Sequence, residues 1–316
     1  MKRKIALICA AAMALSLAGC GATGETSSAA ETSSAAASST EATSEAAESS
    51  EATETSASDF DTTQAITVIT REDGSGTRGA FIELTGVEDD SGDRTTQAAA
   101  TQNSTNGVMT TVANDETAIG YISLGSLDDS VKAVTVGGVE ASAATVKDGT
   151  YTLARPFNIV TNGEATDPVA VDFLGYCMGA EGQALATEEG YIGADDAAAF
   201  TSTQPSGSIT VGGSSSVSPL MEKLIEAYKA VNPNATIELM TTDSTTGVTG
   251  AMDGTYTIGM ASRELKDSEI SEGAVATVLA QDGIAVVVNP ANPITDMTVE
   301  QICSIYVGDT TTWDQL

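Results

Sequence analysis

Histidine is absent from this 316-residue chain. That excludes Ser-His-Asp and Cys-His catalysis and any histidine-based metal site. Positive charge is scarce, with 13 Lys and Arg against 44 Asp and Glu and a formal net charge of −31. A surface field of that sign repels nucleic acid and anionic lipid, so neither is expected as a partner through a broad surface. Cysteine is nearly as sparse: beyond the N-terminal segment only Cys177 and Cys303 remain, both in apolar, helix-like contexts. They read as small buried hydrophobes, with a disulfide between them as the open alternative outside the cytosol. After the N-terminal segment no apolar run is long enough to cross a bilayer.

What is present begins with Lys2-Arg3-Lys4, an apolar stretch over residues 5–17, and Leu17-Ala18-Gly19-Cys20. A basic head, a short apolar core and small residues before a cysteine make an export signal over residues 1–20. It resembles a bacterial lipoprotein signal, which implies a lipid on Cys20 and anchoring to the extracytoplasmic face of the cell membrane. Residues 21–63 are almost wholly Ser, Thr, Ala and Glu, without Lys, Arg, Pro or an aromatic before Phe60. Such a segment buries too little apolar surface to offset chain entropy, so a disordered tether is expected.

The remainder, from Ile66 onward, alternates strand-like and helix-like patterns. Strands are expected over residues 66–70, 118–122, 131–136, 151–153, 209–211, 235–239, 257–261 and 283–288. Helices are expected over 78–84, with Phe81 and Leu84 inward, and over 106–114, 169–178, 219–231, 247–252 and 298–306. Strands alternating with helices imply an α/β fold with largely parallel pairing, and ligands in such folds settle beyond the carboxyl ends of strands.

Four polar turns stand at such positions. The first, Arg71-Glu72-Asp73-Gly74-Ser75-Gly76-Thr77-Arg78, follows a strand and opens a helix. It lacks the lysine and the spacing of a nucleotide P-loop. Ser75 and Thr77 supply hydroxyls, Gly76 admits close backbone approach, and Arg71 offers a planar fork for two oxygens, with Asp73 placed to hold it. The second is Gly212-Gly213-Ser214-Ser215-Ser216-Val217, the third Asp243-Ser244-Thr245-Thr246-Gly247, and the fourth Ala261-Ser262-Arg263-Glu264-Leu265. Hydroxyls and free N–H groups at helix starts attract anions, and two Gly/Ser cradles suggest one small oxyanion held between two lobes.

Together with Ala118-Ile119-Gly120-Tyr121-Ile122, Tyr151-Thr152-Leu153-Ala154-Arg155-Pro156-Phe157 and Thr312-Trp313, these segments resemble the phosphate-binding proteins of bacterial ABC importers over essentially all of residues 66–316. The order is unusual. The family normally begins with the Gly-Ser-Ser-Ser turn and reaches the Gly-Ser-Gly-Thr turn midway, so this chain looks circularly permuted. The resemblance implies a two-lobed, periplasmic-binding-protein-like fold of type II, with mixed sheets flanked by helices and a cleft between the lobes. One lobe would comprise residues 66–153 and 287–316, the other residues 154–286. Carried over by motif, Arg71, Ser75, Gly76 and Thr77 would bind phosphate from the first lobe, and Ser215, Ser216, Ser244 and Arg263 from the second. Asp73 and Glu264 would support them. Arg263 departs from family members that carry an aspartate after this serine, which leaves the proton-accepting role to Glu264 or another acid.

The expected function is therefore a lipid-anchored receptor that delivers inorganic phosphate to an ABC permease, with no cofactor, metal or catalysis. A sensor or a receptor for another tetrahedral oxyanion, such as sulfate or molybdate, is the alternative. A phosphoester hydrolase using Ser75 as nucleophile lacks any histidine or evident metal cluster to activate it.

Overall fold

A computed structural model describes residues 60–316. The expected signal, Cys20 and nearly all of the expected tether lie outside the described residues. The chain enters through β1 (Thr67–Arg71) and turns into α1 (Gly76–Thr85). A small hairpin, β2 (Glu88–Asp89) and β3 (Gly92–Asp93), precedes β4 (Ala100–Gln102), α2 (Thr105–Asn114) and β5 (Ala118–Ser123). Short strands β6 (Lys132–Ala133) and β7 (Thr135–Val136) and helix α3 (Ala143–Lys147) lead to β8 (Ala154–Asn162). Then follow α4 (Pro168–Cys177), α5 (Ala180–Glu188), β9 (Gly207–Ser214), α6 (Ser218–Val231), β10 (Ala235–Thr242) and α7 (Ser244–Asp253). The last part comprises β11 (Ile258–Ala261), α8 (Asp267–Ser271), the long β12 (Ala274–Val288), β13 (Asp296–Met297) and α9 (Val299–Val307).

Local chemistry sets many of these boundaries. Ser75, Ser104, Asp167 and Asp243 cap α1, α2, α4 and α7 by accepting backbone N–H groups that have no partner within the helix. Pro168 sits in the first turn of α4, where a missing N–H costs nothing. Thr298 and Gln301 form a capping box on α9, which ends at Gly308 with φ 88°.

The main sheet runs in the order β10-β9-β11-β8-β12-β5-β1-β4, with β6 on the side of β12. Strands β9, β10 and β11 are mutually parallel, as are β1, β4 and β5, while β8 and β12 run against their neighbours. β12 ties the sheet together. Residues 274–283 pair with β8 and residues 284–288 with β5. Two large hydrophobic cores form along it, with a smaller cluster of Val160, Val248, Ala251, Ala261, Leu265 and Ala274 beneath α7. The first gathers Ile69, Phe81, Ile119, Tyr121, Leu153, Val286 and Trp313; the second gathers Phe157, Phe173, Val211, Leu220, Leu224 and Met260. The apolar run from Ile284 to Val288 is fully buried, as its lack of alternation requires.

Several expectations are corrected. Leu84 is 37 % exposed because α1 turns the stripe Thr77, Phe81 and Thr85 inward instead. Residues 151–153 contribute Tyr151 and Leu153 to the first core without being a strand; the strand starts at Ala154. β8 escapes a propensity reading because it contains Pro156. The ring is tolerated because β11 pairs only with residues 158–160, so no ladder donor is lost on that side. The helix α5 and residues 274–282 of β12 were also not anticipated. Cys177 and Cys303 are free thiols; Cys177 is buried in the second core, and Cys303 packs against the first.

Where the two cores meet, Arg155 on β8 faces Asp282 on β12 across the ladder, both side chains 1 % exposed. Arg155 Nη2 and Nε donate to Asp282 Oδ2 at 3.2 and 3.4 Å, while Ser123 Oγ donates to Asp282 Oδ1 at 2.9 Å. Burial pushes the Asp282 carboxyl up to about 6, against the pull of the guanidinium and the Ser123 hydroxyl. A raised folded-state pKa means that the native chain holds more protons than the unfolded one between about pH 4 and 6, so this group's contribution to stability falls as pH rises through that window. Replacing Arg155 by Met removes the only cation of the pair. Denaturant unfolding is expected to show a loss of about 3–5 kcal/mol at pH 8. The gap should narrow at pH 5, where Asp282 protonates; a gap independent of pH would refute this account of the pair.

Candidate anion-binding site

Strands β9, β10 and β11 form one parallel group and β1, β4 and β5 another; three antiparallel pairings, β11 with β8, β8 with β12 and β12 with β5, set the groups in opposite directions, so the carboxyl ends of one group face those of the other. The starts of α1, α2, α6 and α7 follow from β1, β4, β9 and β10, so four helix N-termini and the turn after β11 converge. Each N-terminus brings partial positive charge and unpaired N–H groups.

Arg71, at the end of β1, is 1 % exposed. Its Nε donates to Glu72 Oε2 at 2.9 Å and its Nη2 to Glu72 Oε1 at 2.8 Å, a fork on the carboxylate of the adjacent residue. The other edge reaches Ser215 Oγ at 3.1 Å from Nη2 and Thr105 Oγ1 at 3.5 Å from Nη1. Beneath it, the Arg71 N–H donates to Tyr121 Oη at 3.1 Å, and Tyr121 stacks on Phe81 with ring centroids 3.9 Å apart. The end of β1 is thus fixed by an aromatic pair of the first core.

The hydroxyls connect across the two cores. Thr77 Oγ1 lies 2.8 Å from Ser216 Oγ, which lies 3.0 Å from Thr105 Oγ1. Ser214 Oγ donates to Ser262 Oγ at 2.9 Å, and Ser262 Oγ lies 3.2 Å from Ser244 Oγ. A Cβ on Gly76 would collide with Ser244 Oγ and Ser262 Oγ, so glycine is required where α1 meets the second core. Gly213, at φ 140°, abuts the backbone of Met260 and Gly247 just as closely. Thr245 N–H donates to Gly74 O at 3.1 Å, a further bond between the turns.

The predicted residues divide. Arg71, Ser75, Gly76, Thr77, Ser215, Ser216 and Ser244 are brought together, all of them buried. Ser75 also accepts the Arg78 N–H at 3.3 Å as the cap of α1, whereas α6 has no side-chain cap, so the hydroxyls of Ser215 and Ser216 are not spent on capping. Asp73 does not hold Arg71. It is exposed and pairs with Arg78, because Glu72 lies on the buried side of the turn and reaches the guanidinium first. Arg263 does not point into the hydroxyl cluster either. Its guanidinium forks onto Glu269 of α8 at 2.8 Å through both Nη1 and Nη2, and Glu264 is exposed. Asp243 faces away as the cap of α7, accepting Thr246 N–H at 2.9 Å, which leaves Ser244 inside.

Glu72, Thr105, Ser214 and Ser262 were missed as site residues. The signal for Thr105 was available: Asn103-Ser104-Thr105 follows a strand and opens a helix, as the other turns do. No pattern in the sequence separates Glu72 from Asp73, since both flank the arginine at plausible reach.

The arrangement is a buried cluster of hydroxyls and one guanidinium, able to both donate and accept, which suits a small oxyanion. Among the described residues no group of acidic or cysteine side chains could hold a metal ion.

A family model described as PBP superfamily domain matches residues 49–181 and 198–316. Phosphate-binding protein PstS 2 of Streptococcus agalactiae serotype V is 47 % identical over 256 residues, spanning 79 % of this chain and 87 % of that protein. Phosphate-binding protein PstS 2 of Streptococcus pneumoniae serotype 4 is 44 % identical over 266 residues, spanning 83 % of this chain and 91 % of that protein. The crystal structure of a phosphate-binding protein of a phosphate ABC transporter from Streptococcus pneumoniae TIGR4 superposes with a TM-score of 0.64 at 44 % identity, covering 79 % of this chain and 99 % of that one. The mixed α/β sheet, the strand-end site and these matches agree, and the chain belongs to the PBP superfamily, within its family of bacterial phosphate-binding proteins.

Proposed function

We propose that this chain binds inorganic phosphate between its two cores and delivers it to an ABC permease, with no chemical step. The observation that carries this reading is the Arg71 guanidinium. It is fully buried, held on one edge by Glu72, and met on the other by the hydroxyls of Ser215 and Thr105. Arg71, Ser75, Gly76 and Thr77 would bind from one lobe and Ser215, Ser216 and Ser244 from the other. The lobes are the two cores, and closure brings the Gly74 and Thr245 turns into contact. With Arg263 committed to Glu269, discrimination rests on hydroxyls, which can accept a hydrogen bond from a protonated phosphate oxygen as well as donate one. Ser75 has no histidine to activate it, which favours binding over hydrolysis.

The order of segments supports the permuted reading. Ile66 N–H donates to Thr311 O at 2.8 Å, and Ala65 bridges Thr312, so the last segment meets the start of β1 where the usual family order is continuous. A lipid on Cys20 would keep the receptor at the outer face of the cell membrane, beside its permease.

Calorimetry of the purified chain is expected to give tight binding of phosphate that equimolar sulfate does not displace. Arg71→Ala should weaken it by about 100-fold or more, the effect of truncating one member of a buried charged contact. Binding of sulfate or molybdate in place of phosphate would keep the fold and overturn the ligand. The two carboxylates beside Arg71 should separate in unfolding experiments. Glu72→Ala is expected to cost about 2 kcal/mol by leaving a buried guanidinium unpaired, and Asp73→Ala less than about 0.5 kcal/mol as an exposed partner. Equal losses would remove Glu72 as the group that orients Arg71.

A further inference from the structure

Thr105, the first residue of α2, touches three of the candidate ligand groups from both cores. Its Oγ1 lies 3.0 Å from Ser216 Oγ and 3.5 Å from Arg71 Nη1, and its N–H donates to Ser215 Oγ at 3.4 Å. The side chain is buried, and the cap of the helix is Ser104, so the Thr105 hydroxyl is not used for capping. Its position follows from β4 pairing with β1 in register, Gln102 beside Arg71, which sets the next turn against the second core.

We propose that Thr105 is a positioning residue for the bound anion, setting the proton of Ser216 and the edge of Arg71 toward the ligand. Hydrogen-bond counting gives the reason. Ser216 Oγ has one proton and two lone pairs, and its neighbours are Thr77 Oγ1 at 2.8 Å and Thr105 Oγ1 at 3.0 Å. When both threonines donate into Ser216, its lone pairs are filled and its single proton is left for the anion. Neither threonine is placed to accept that proton while donating its own. Removing the Thr105 hydroxyl frees one lone pair of Ser216 and removes the contact on Arg71 Nη1, so the donor set loses its fixed direction. The contact also joins α2 of the first core to the Ser215-Ser216 turn of the second. It therefore acts after the anion has been enclosed, on release rather than capture.

This inference rests on the phosphate reading above. The test is stopped-flow and calorimetric titration of the full chain with inorganic phosphate, comparing the parent with Thr105→Val, Thr105→Ala and Thr105→Ser. Val and Ala are expected to weaken binding about 10-fold, the effect of losing one hydrogen bond in a network around a charged ligand. The change should lie in the dissociation rate, with the association rate within about twofold. Thr105→Ser, which keeps the hydroxyl, should restore binding. A parent that binds phosphate while Val and Ala bind it equally well overturns the role of Thr105 alone. Loss of affinity shared by Ser overturns it too, since packing and not the hydroxyl would then be responsible. A parent that binds no phosphate overturns the phosphate reading and this inference with it.

Discussion

One buried guanidinium governs the arrangement of this molecule. Arg71 is out of water at the end of β1, and an uncompensated charge there would cost several kcal/mol. The structure meets that cost from two directions. Glu72 neutralises one edge through a two-point fork, and hydroxyls from both cores converge on the other. The Glu72 fork still leaves N–H groups unused by the carboxylate, so the geometry that stabilises the charge also suits the anion contact proposed for it. Placing it there depends in turn on Tyr121 and Phe81, whose stack holds the strand end from below.

The strongly acidic composition makes the local arrangement more demanding. A net charge of −31 opposes the approach of any anion at long range, yet fields from exposed carboxylates fade within about 10 Å in ordinary salt. If the cluster holds the anion as proposed, its affinity comes from short hydrogen bonds and helix N-termini among buried side chains. Cations outside the cluster are held elsewhere: Arg78 by Asp73 and Asp93, Arg155 by Asp282, Arg263 by Glu269. Arg71 alone among these four meets the convergent hydroxyls.

β12 couples the cores. Its first part completes the second core's sheet and its last part the first core's, with the Arg155–Asp282 pair at the change-over. Any movement of one core relative to the other passes through β8 and β12.

Much of this was legible in the residues. The Gly/Ser turns, their places after strands and before helices, and the absence of histidine pointed to an anion cradle and excluded histidine-based catalysis, because cap chemistry, glycine tolerance and missing functional groups are local properties. The Ile284–Val288 run and the Leu220, Leu224, Tyr228 stripe likewise announced a buried strand and an amphipathic helix. The sequence could not decide which carboxylate takes Arg71, whether Arg263 faces the site, or that Thr105 joins it. Glu72 and Asp73 are adjacent and chemically alike; only the turn's burial tells them apart. Arg263 follows Glu269 because α8 folds back beside it, and Thr105 arrives through the pairing of β4 with β1. Those choices depend on which distant side chain competes for the same donor, and only the tertiary structure brings the competitors within reach.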